Sequence, residues 1–376
     1  MENYCFISSM FRSGSTMLAR MLNTHKNVAC ASDPMRPIFN SFRYDLAKNN
    51  YKNAHKRFDP LDDYFLQSFD LFQQILKGTF DVKPGIDHRR LFEVIQNRAM
   101  AFSGNWAEQI EVNDFNSYSE YIKYFTNQID KIYGENKNNS YVIFKEVWAL
   151  EFFPALKKLF PNIKCIAMVR DPRDIVASKN ATGLSYPYFF MGRQWRKLAF
   201  LSSYLNHLYK DDFYVIKYED LVSQSDQYVK NLCAFLGIEF EQNLLDTTQY
   251  KDGSGNPWFQ NTSYGTNVPQ YINSKSIGKW KSQLNDLDVR SIELICNDWM
   301  QHFDYQLSNS RNDLLSMGVD DFRIFNNNEL ATWIRPFAFD RDREWLSNQM
   351  LIEKMRSYEK RCFSDDENFR LQIKWW

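Results

Sequence analysis

A cluster of cationic and hydroxyl-bearing side chains follows the first apolar segment of the chain. Residues 4–9 have the pattern of a short buried strand, and Arg12-Ser13-Gly14-Ser15-Thr16 comes directly after them. A helix that begins near Ser15 would present free N–H groups and the positive end of its dipole to an anion. Gly14 would let the backbone approach that anion, and Arg12 would add charge. These residues predict a phosphate site, although an ordinary Ser/Thr cap on a strand–helix turn explains them equally well.

A second cationic segment follows the apolar run at residues 166–169. It reads Arg170-Asp171-Pro172-Arg173, and Ser178 comes two helical turns later. Ligands of parallel sheets gather at the carboxyl ends of the strands, so Arg170 and Ser178 suit a second phosphate. The alternative is a surface Arg/Asp cluster that caps a helix.

The phosphate motif differs from the common nucleotide-binding loops. It lacks the lysine of GxxxxGK[ST], and the chain contains no GxGxxG. These absences disfavour one alternative, a nucleotide-dependent kinase with an unusual phosphate loop. A kinase would also need a carboxylate at the end of a strand to hold magnesium, and no strand ends in one. A non-catalytic nucleotide-binding or interaction module is the other alternative. No residue cluster indicates a metal site.

Strand-like and helix-like segments alternate along the chain, which predicts an α/β fold with a P-loop-like central parallel sheet flanked by helices. The five predicted strands are 4–9, 28–31, 141–145, 163–169 and 213–218. Residues 1–307 would form this domain, with a helical, aromatic-rich insertion at about 40–135. Residues 308–376 would form an extension that packs on the domain or on a partner subunit, so a homodimer is one arrangement open to it.

Composition limits the class of protein. The 46 Lys and Arg residues balance 46 Asp and Glu residues, which argues against a protein that coats nucleic acid by bulk charge. The apolar fraction of 44% is enough for a core. The six cysteines form no CxxC pair, and no signal peptide or long apolar run is evident. We therefore expect reduced core cysteines, a cytoplasmic location and no membrane span.

Together these segments resemble the sulfotransferases that use 3′-phosphoadenosine 5′-phosphosulfate (PAPS). The 5′-phosphosulfate loop of that family looks like residues 11–16, and its 3′-phosphate strand–turn–helix looks like residues 169–178. Three weaker features match in order: Lys145 at the end of the central strand, residues 217–222, and residues 276–281. The resemblance covers about residues 4–305 and is closest to the bacterial and carbohydrate/protein-tyrosine branch, which has an arginine where the phenol- and steroid-sulfating branch has a lysine.

The resemblance implies an enzyme that moves a sulfuryl group from PAPS to a hydroxyl or amine of a small-molecule or glycan acceptor. The product would be 3′-phosphoadenosine 5′-phosphate (PAP), and no metal would be needed. Residues implied to bind the nucleotide are Arg12, Ser13, Gly14, Ser15, Thr16, Arg170, Ser178, Tyr218, Ser276, Ile277, Gly278 and Lys279.

The general base is the least certain residue of the implied site. The phenol- and steroid-sulfating enzymes carry a histidine two residues after the strand lysine, but this chain reads Lys145-Glu146-Val147. In the carbohydrate and tyrosine branch a carboxylate follows the second strand, and Asp33 occupies a similar place. Asp33 is therefore our first choice, Glu146 and His88 are alternatives, and Asp33 could instead only turn the chain before Pro34. The implied catalytic residues are Arg12, Asp33, Lys145, Glu146 and His88.

The acceptor site would lie between the helical insertion and the loop that contains Trp258 and Phe259. Aromatic side chains stack on sugars and on aromatic rings alike, so they do not identify the acceptor. Most aromatic residues of the chain are expected in the core.

Overall fold

The computed structural model describes residues 3–50, 74–135, 141–180, 188–258 and 272–317. These residues belong to two compact units. The first unit contains 3–50, 74–135, 141–170, 201–258 and 272–275, and the second contains 171–180, 188–200 and 276–317. Phe259 and most of the predicted extension, from residue 318 onwards, lie outside the described residues.

The first unit is built on a sheet of five parallel strands in the order β2-β3-β1-β4-β5. The strands are β1 (Asn3–Ser9), β2 (Val28–Ser32), β3 (Tyr141–Val147), β4 (Lys164–Val169) and β5 (Phe213–Lys217). This confirms all five predicted strands and the predicted parallel α/β fold. It also means that every strand ends at the same edge of the sheet, where residues of different strands can meet.

One detail of the predicted sheet is wrong. The central strand is β1, and Lys145 lies inside β3 rather than at the end of a central strand. β3 continues to Val147 because Glu146 and Val147 still pair with Ser8 and Ser9 of β1. The spacing of apolar residues along one strand carries no information about which strands lie beside it.

The helices follow in chain order, with short 3₁₀ turns at Leu150–Phe152, Gln242–Leu245 and Thr247–Gln249. They are α1 (Ser15–Asn23), α2 (Arg36–Asn50), α3 (His88–Ala99), α4 (Gly104–Gln109), α5 (Tyr118–Tyr133), α6 (Phe153–Leu159), α7 (Pro172–Asn180), α8 (Tyr188–Leu208), α9 (Tyr218–Ser223), α10 (Ser225–Leu236), α11 (Trp280–Gln283), α12 (Asp286–His302) and α13 (Arg311–Leu315). Within the described residues, the segment 40–135 contains helical elements from α2 to α5 and no strand.

Apolar side chains on both faces of the strands explain why the sheet is covered on both sides. One core cluster joins the strands to α1 and α10, with Ile7, Leu18, Ile143 and Leu232 among its buried members. A second group of packed rings includes Phe6, Phe39, Phe144 and Phe152. Each fully buried side chain of this size stabilises the fold by roughly 1.5–3 kcal/mol. Many aromatic residues thus serve the core, as the sequence suggests.

The second unit centres on α12. Its buried residues include Val289, Ile292 and Trp299, whose helical spacing puts them on one face. The ring of Trp299 meets Phe200 edge to face at 5.6 Å. Gly192 lies so close to Ile295 that a Cβ there would be 2.9 Å from its Cγ2.

Three expected absences can be compared with the described part of the chain. Cys5, Cys30, Cys165, Cys233 and Cys296 are free and buried, as predicted for reduced core cysteines. Within the described ranges no helix is long and apolar enough to cross a membrane. The same residues contain no group of acidic, His and Cys side chains arranged to hold a metal ion.

Candidate active site

The first predicted phosphate loop connects β1 to α1. Gly14 is the N-cap of α1 with φ of 93°, and no side chain caps the helix. The ordinary Ser/Thr cap is therefore not formed, and the first N–H groups of α1 are left for another acceptor. A Cβ at residue 14 would lie 2.5 Å from the Tyr218 ring, so both the positive φ and the close approach require glycine.

The hydroxyl groups of this loop differ in their partners. Ser9 donates a hydrogen bond to Ser15 Oγ at 2.7 Å, and Lys145 Nζ donates to Thr16 Oγ1 at 3.4 Å. The Ser13 hydroxyl is buried and has no hydrogen-bond partner among the described residues. Buried polar atoms are nearly always paired, so an unpaired hydroxyl beside an uncapped helix start fits a site for an anionic ligand.

Arg170, Arg12 and Tyr218 meet beside this loop. Arg170 follows β4, and its Nη1 donates to the carbonyl oxygen of Arg12 at 2.8 Å. Its guanidinium lies 4.4 Å above the Tyr218 ring. The bond to Arg170 holds Arg12 in a left-handed conformation with φ of 66°. The structure thus brings together three of the residues predicted to bind the nucleotide.

Asp33, directly after β2, and Lys145, within β3, form a buried ion pair. Lys145 Nζ lies 2.6 Å from Asp33 Oδ2, and the Val147 N–H donates to Oδ1 at 3.1 Å. The Asp33 N–H donates to the Lys145 carbonyl oxygen at 2.6 Å. The Asp33 side chain therefore bonds across to β3, and Lys145 contacts both this carboxylate and the hydroxyl of Thr16.

The environment of Asp33 favours the ionised carboxylate. Burial alone raises the pKa, but the charge and hydrogen bond of Lys145, aided by Arg98 and Arg36, outweigh it and hold the pKa of Asp33 below its ordinary value. Asp33 is therefore charged at neutral pH. Its affinity for a proton would increase if Lys145 moved to another anion.

Glu146, one of the alternative bases, points away from solvent and is fully buried. Its Oε1 accepts the N–H of Met35 at 2.5 Å, and its Oε2 has no partner among the residues that the structure describes. Burial and the neighbouring charge of Asp33 raise the pKa of Glu146 well above its ordinary value. The raised pKa means that Glu146 takes up a proton at a higher pH than an ordinary glutamate does, and the bonded oxygen of its carboxyl group is occupied by the Met35 N–H.

Glu146 should make the stability of the protein depend on pH. The folded state binds the Glu146 proton more tightly than the unfolded state does. The stability that Glu146 contributes is therefore fully present below a pH of about 4.3 and is lost as pH rises through the folded pKa. In the Glu146→Gln variant this loss should disappear. Chemical denaturation between pH 5 and 8 should show that the free energy of unfolding declines less in the variant than in the wild type. The difference should be about 1.4 kcal/mol for each unit by which folding raises the pKa of Glu146. Equal slopes for the two proteins would contradict the raised pKa.

His88, the other alternative base, lies at the start of α3. Its ring faces two exposed carboxylates, with Nδ1 3.9 Å from Asp87 and 3.7 Å from Asp114. From His88 to Ala99 the helix rises about 1.5 Å per residue, so His88 is far from the end of α3 where Arg98 influences Asp33. The structure does not bring His88 to Asp33 and Lys145.

The sequence analysis missed two residues: Arg36, whose charge helps to lower the pKa of Asp33, and Trp148, which Arg36 contacts. Arg36 lies 4.6 Å above the Trp148 ring, and Phe11 of the phosphate loop meets the same ring at 4.7 Å. Trp148 has φ of 54° and donates its ring N–H to Met10 Sδ at 2.9 Å. A tryptophan three residues after Lys145 was the available signal, but the left-handed turn that positions it cannot be read from spacing.

The remaining nucleotide-binding predictions fall in the second unit. Asp174 at the start of α7 accepts the N–H groups of Gly278 at 2.7 Å and of Trp280 at 3.0 Å. Arg173 lies 4.0 Å above the Trp280 ring and forms ion pairs with Asp171 and Glu293. The segment with Ser276, Ile277, Gly278 and Lys279 is thus fixed to α7, the helix that carries Ser178.

Trp258, predicted to contact the acceptor, has a partner within the protein. The Trp258 ring stacks on the Tyr250 ring with centroids 6.0 Å apart. The backbone N–H of Trp258 donates to the Tyr250 carbonyl oxygen at 2.8 Å. The side chain is half-buried against the core. An acceptor contact for Trp258 stays a prediction, and Phe259 lies outside the described residues.

Known proteins are similar to this chain in sequence. The model of the sulfotransferase family matches residues 5–242. Carbohydrate sulfotransferase 1 of Danio rerio is 24% identical over 180 residues, which are 42% of this chain and 42% of that protein. Protein-tyrosine sulfotransferase 1 of Danio rerio is 23% identical over 231 residues, 58% of this chain and 64% of that protein. This chain therefore matches less than two thirds of the length of either relative.

A solved structure is also similar in part. The sulfotransferase domain of the Synechococcus PCC 7002 olefin synthase is 19% identical, with a TM-score of 0.49 over 81% of this chain and 96% of that chain. The fold assignment rests on the five-stranded sheet described above. Because the family model covers more than half of the chain, including the phosphate loop, Asp33, Lys145 and Arg170, this protein belongs to the sulfotransferase family.

Proposed function

We propose that this protein transfers the sulfuryl group of PAPS to a hydroxyl or amine of a small-molecule or glycan acceptor. One observation carries the proposal: Lys145 contacts both Thr16 of the anion-binding loop and the carboxylate of Asp33. A single cation thus connects a place for a leaving phosphate with a group that can accept a proton. Sulfuryl transfer needs both functions within reach of one another.

The residues of the loop fit a phosphosulfate group. The uncapped start of α1 and the unpaired Ser13 hydroxyl offer hydrogen-bond donors. Gly14 has no side chain that would obstruct a ligand there. Arg12 and residues 13–16 would hold the 5′-phosphosulfate, and Arg170 would hold the 3′-phosphate next to Tyr218. For Ser178 and residues 276–279 the assignment to the nucleotide rests on the sequence motifs. Bound PAPS supplies the sulfuryl group and a phosphate leaving group.

The protein's own groups would have distinct tasks in the reaction. Arg12, the amides of α1 and Lys145 would stabilise negative charge at the loop. Asp33 would accept the acceptor's proton at Oδ2, the oxygen that Lys145 now binds. If Lys145 turned towards the loop, Asp33 would lose its strongest counter-charge and become a better base. Glu146, whose pKa is raised by burial and by the charge of Asp33, would be charged less often than an ordinary glutamate.

The acceptor class, a cytoplasmic location and a homodimer stay predictions. The relatives' names include a carbohydrate and a protein-tyrosine sulfotransferase, which supports a hydroxyl acceptor without selecting one. The kinase alternative gains no support, because Asp33, the carboxylate that Lys145 links to the loop, is paired with that lysine.

Binding of nucleotides without magnesium tests the proposal. We expect PAP to raise the melting temperature more than adenosine 5′-phosphate does, because only PAP carries a phosphate for Arg170. The Arg170→Ala variant should lose about tenfold to a hundredfold in PAP affinity, the worth of one or two charge-assisted hydrogen bonds. Its affinity for adenosine 5′-phosphate should fall less, because that nucleotide would depend on Arg170 only through the bond to Arg12. Isothermal titration calorimetry measures both ligands.

Arg89→Ala, which removes an exposed arginine of α3, is the charge-matched control and should bind both nucleotides like the wild type. Stabilisation by ATP with magnesium and none by PAP would favour the kinase. The absence of any nucleotide effect would favour the non-catalytic module.

A further inference from the structure

We propose that Ser103 is a positioning residue that holds Asp33 in place by closing the outer edge of β2. The inference rests on the proposed function, in which Asp33 is the base. Among the described residues, β2 is one of the two edge strands of the sheet and pairs only with β3. The Ser103 hydroxyl donates to the Ser32 carbonyl oxygen at 2.8 Å and accepts the Ser32 N–H at 3.0 Å. One side chain thereby satisfies both backbone groups of the residue before Asp33.

The conformation of Asp33 explains why this restraint matters. Asp33 has φ of 50°, in the left-handed region that costs a non-glycine residue about 1 kcal/mol or more. Such a conformation persists only when its surroundings fix it. On the inner side the Asp33 N–H bonds to Lys145 of β3. On the outer side Ser103 holds Ser32, so the residue is fixed from both edges.

The Ser103 hydroxyl can bond to β2 because another residue accepts the backbone N–H that Ser103 would ordinarily cap in α4. Ser103 is the N-cap of α4, where a serine ordinarily accepts a backbone N–H of the first turn, yet it makes no capping bond. The Asn105 N–H of that turn donates to the Gly253 carbonyl oxygen at 3.0 Å instead. The Ser103 hydroxyl is therefore available for a residue 71 positions earlier in the chain.

The backbone around Ser103 is itself held firmly. Arg20 of α1 donates to the Phe102 carbonyl oxygen at 2.7 Å. Gly253 packs so closely that a Cβ there would lie 2.0 Å from this oxygen and 2.5 Å from Ser103 Cα. Tyr133 also donates to the Gly253 carbonyl oxygen, at 2.8 Å. Helix α1, the loop at residue 253 and the end of β2 thus meet at Ser103.

A double-mutant cycle with Asp33 tests the proposal. Ser103→Ala should lower kcat about tenfold to a hundredfold, because small displacements of a reacting group have effects of this size. It should leave PAP affinity unchanged. In the Asp33→Asn background Ser103→Ala should have no further effect on kcat, since it acts through Asp33. The control is Ser291→Ala, which removes another buried serine hydroxyl that donates to a backbone carbonyl oxygen, and it should keep wild-type kcat.

The outcomes separate this proposal from the proposed function. The positioning role alone would be overturned if Ser103→Ala kept the wild-type kcat. It would also be overturned if Ser103→Ala lowered kcat by the same factor in the wild type and in the Asp33→Asn variant. If the wild-type protein transferred no sulfuryl group, the proposed function would fail, and amide hydrogen exchange would still test the contact. Exchange of the Ser32 N–H should be at least about tenfold faster in Ser103→Ala, since the amide loses its acceptor. Unchanged protection would overturn the inference.

Discussion

Replacing Asp33 with asparagine is expected to lower kcat about a hundredfold to a thousandfold, the usual contribution of a general base. Asparagine keeps one oxygen that can still accept from the Val147 N–H, while its amide nitrogen would replace the oxygen that Lys145 binds. The Asp33 backbone bond to the Lys145 carbonyl oxygen does not depend on the side chain, so the end of β2 should keep its place beside β3. What the variant loses is the ability to take the acceptor's proton. Steady-state kinetics at saturating PAPS measures the loss, and calorimetry should show PAP affinity within about threefold of the wild type.

The pH dependence of kcat gives a second test of Asp33. The wild-type value should fall at acidic pH as the carboxylate becomes protonated, and the variant should lack this acidic limb. Asp45→Asn is the matched control, because Asp45 is a buried carboxylate that accepts from Tyr118 Oη at 2.6 Å and has no place in the reaction. Near-normal turnover in Asp33→Asn would remove Asp33 as the base.

Replacing Lys145 with alanine should both abolish transfer and destabilise the protein. Removing one partner of a buried ion pair leaves an uncompensated charge and typically costs about 3–5 kcal/mol. Lys145 and Asp33 are 2% and 4% exposed at their side chains, so water cannot replace the lost partner. Chemical denaturation measures the loss, and the transfer assay should show at least a thousandfold drop, since leaving-group stabilisation and the control of Asp33 disappear together.

The direction in which the stability of Lys145→Ala changes with pH distinguishes loss of the ion pair from a general packing defect. In the wild type the lowered pKa of Asp33 contributes stability above the unfolded pKa of about 3.9, which is lost as pH falls through the folded pKa. Without Lys145, burial would raise the pKa of Asp33 above its ordinary value. The Lys145→Ala variant should then lose stability as pH rises. The difference in free energy of unfolding between wild type and variant should be larger at pH 8 than at pH 5.

Two further variants complete the comparison. Lys157→Ala breaks an ion pair with Asp212 that has the same 2.6 Å separation but is partly exposed, and it should cost at most about 1 kcal/mol. Adding Asp33→Asn to Lys145→Ala should recover much of the lost stability, because the buried charge is gone. A deficit independent of pH and unaffected by Asp33→Asn would contradict the ion-pair account.

The sequence predicted the elements of this site better than their contacts. Strands 4–9 and 141–145 were evident because runs of apolar residues end at polar ones, and Gly14 stood out beside Ser13 and Ser15. That Lys145 would meet both Asp33 and Thr16 depends on β3 lying between β1 and β2. Strand order arises from the packing of helices on the sheet, to which residues far apart in the chain contribute.

Ser103 and Trp148 show the same limit more sharply. Ser103 precedes Gly104 and has the pattern of an ordinary helix cap, and only the carbonyl group of Gly253 frees its hydroxyl for β2. Trp148 has an apolar side chain that spacing would assign to the core. Its place beside Arg36 follows from a left-handed turn after β3. Such contacts depend on tertiary packing that local sequence does not encode.

Transfer of labelled sulfur from PAPS to an acceptor tests the central claim most directly. The reaction should run in the presence of a metal chelator, with a panel of hydroxyl and amine acceptors and mass-spectrometric identification of the product. We predict that label moves to an acceptor, that one PAP appears for each sulfated product, and that Asp33→Asn loses this transfer while still binding PAP. Tight PAP binding with no transfer to any acceptor, or full transfer by Asp33→Asn, would contradict the account.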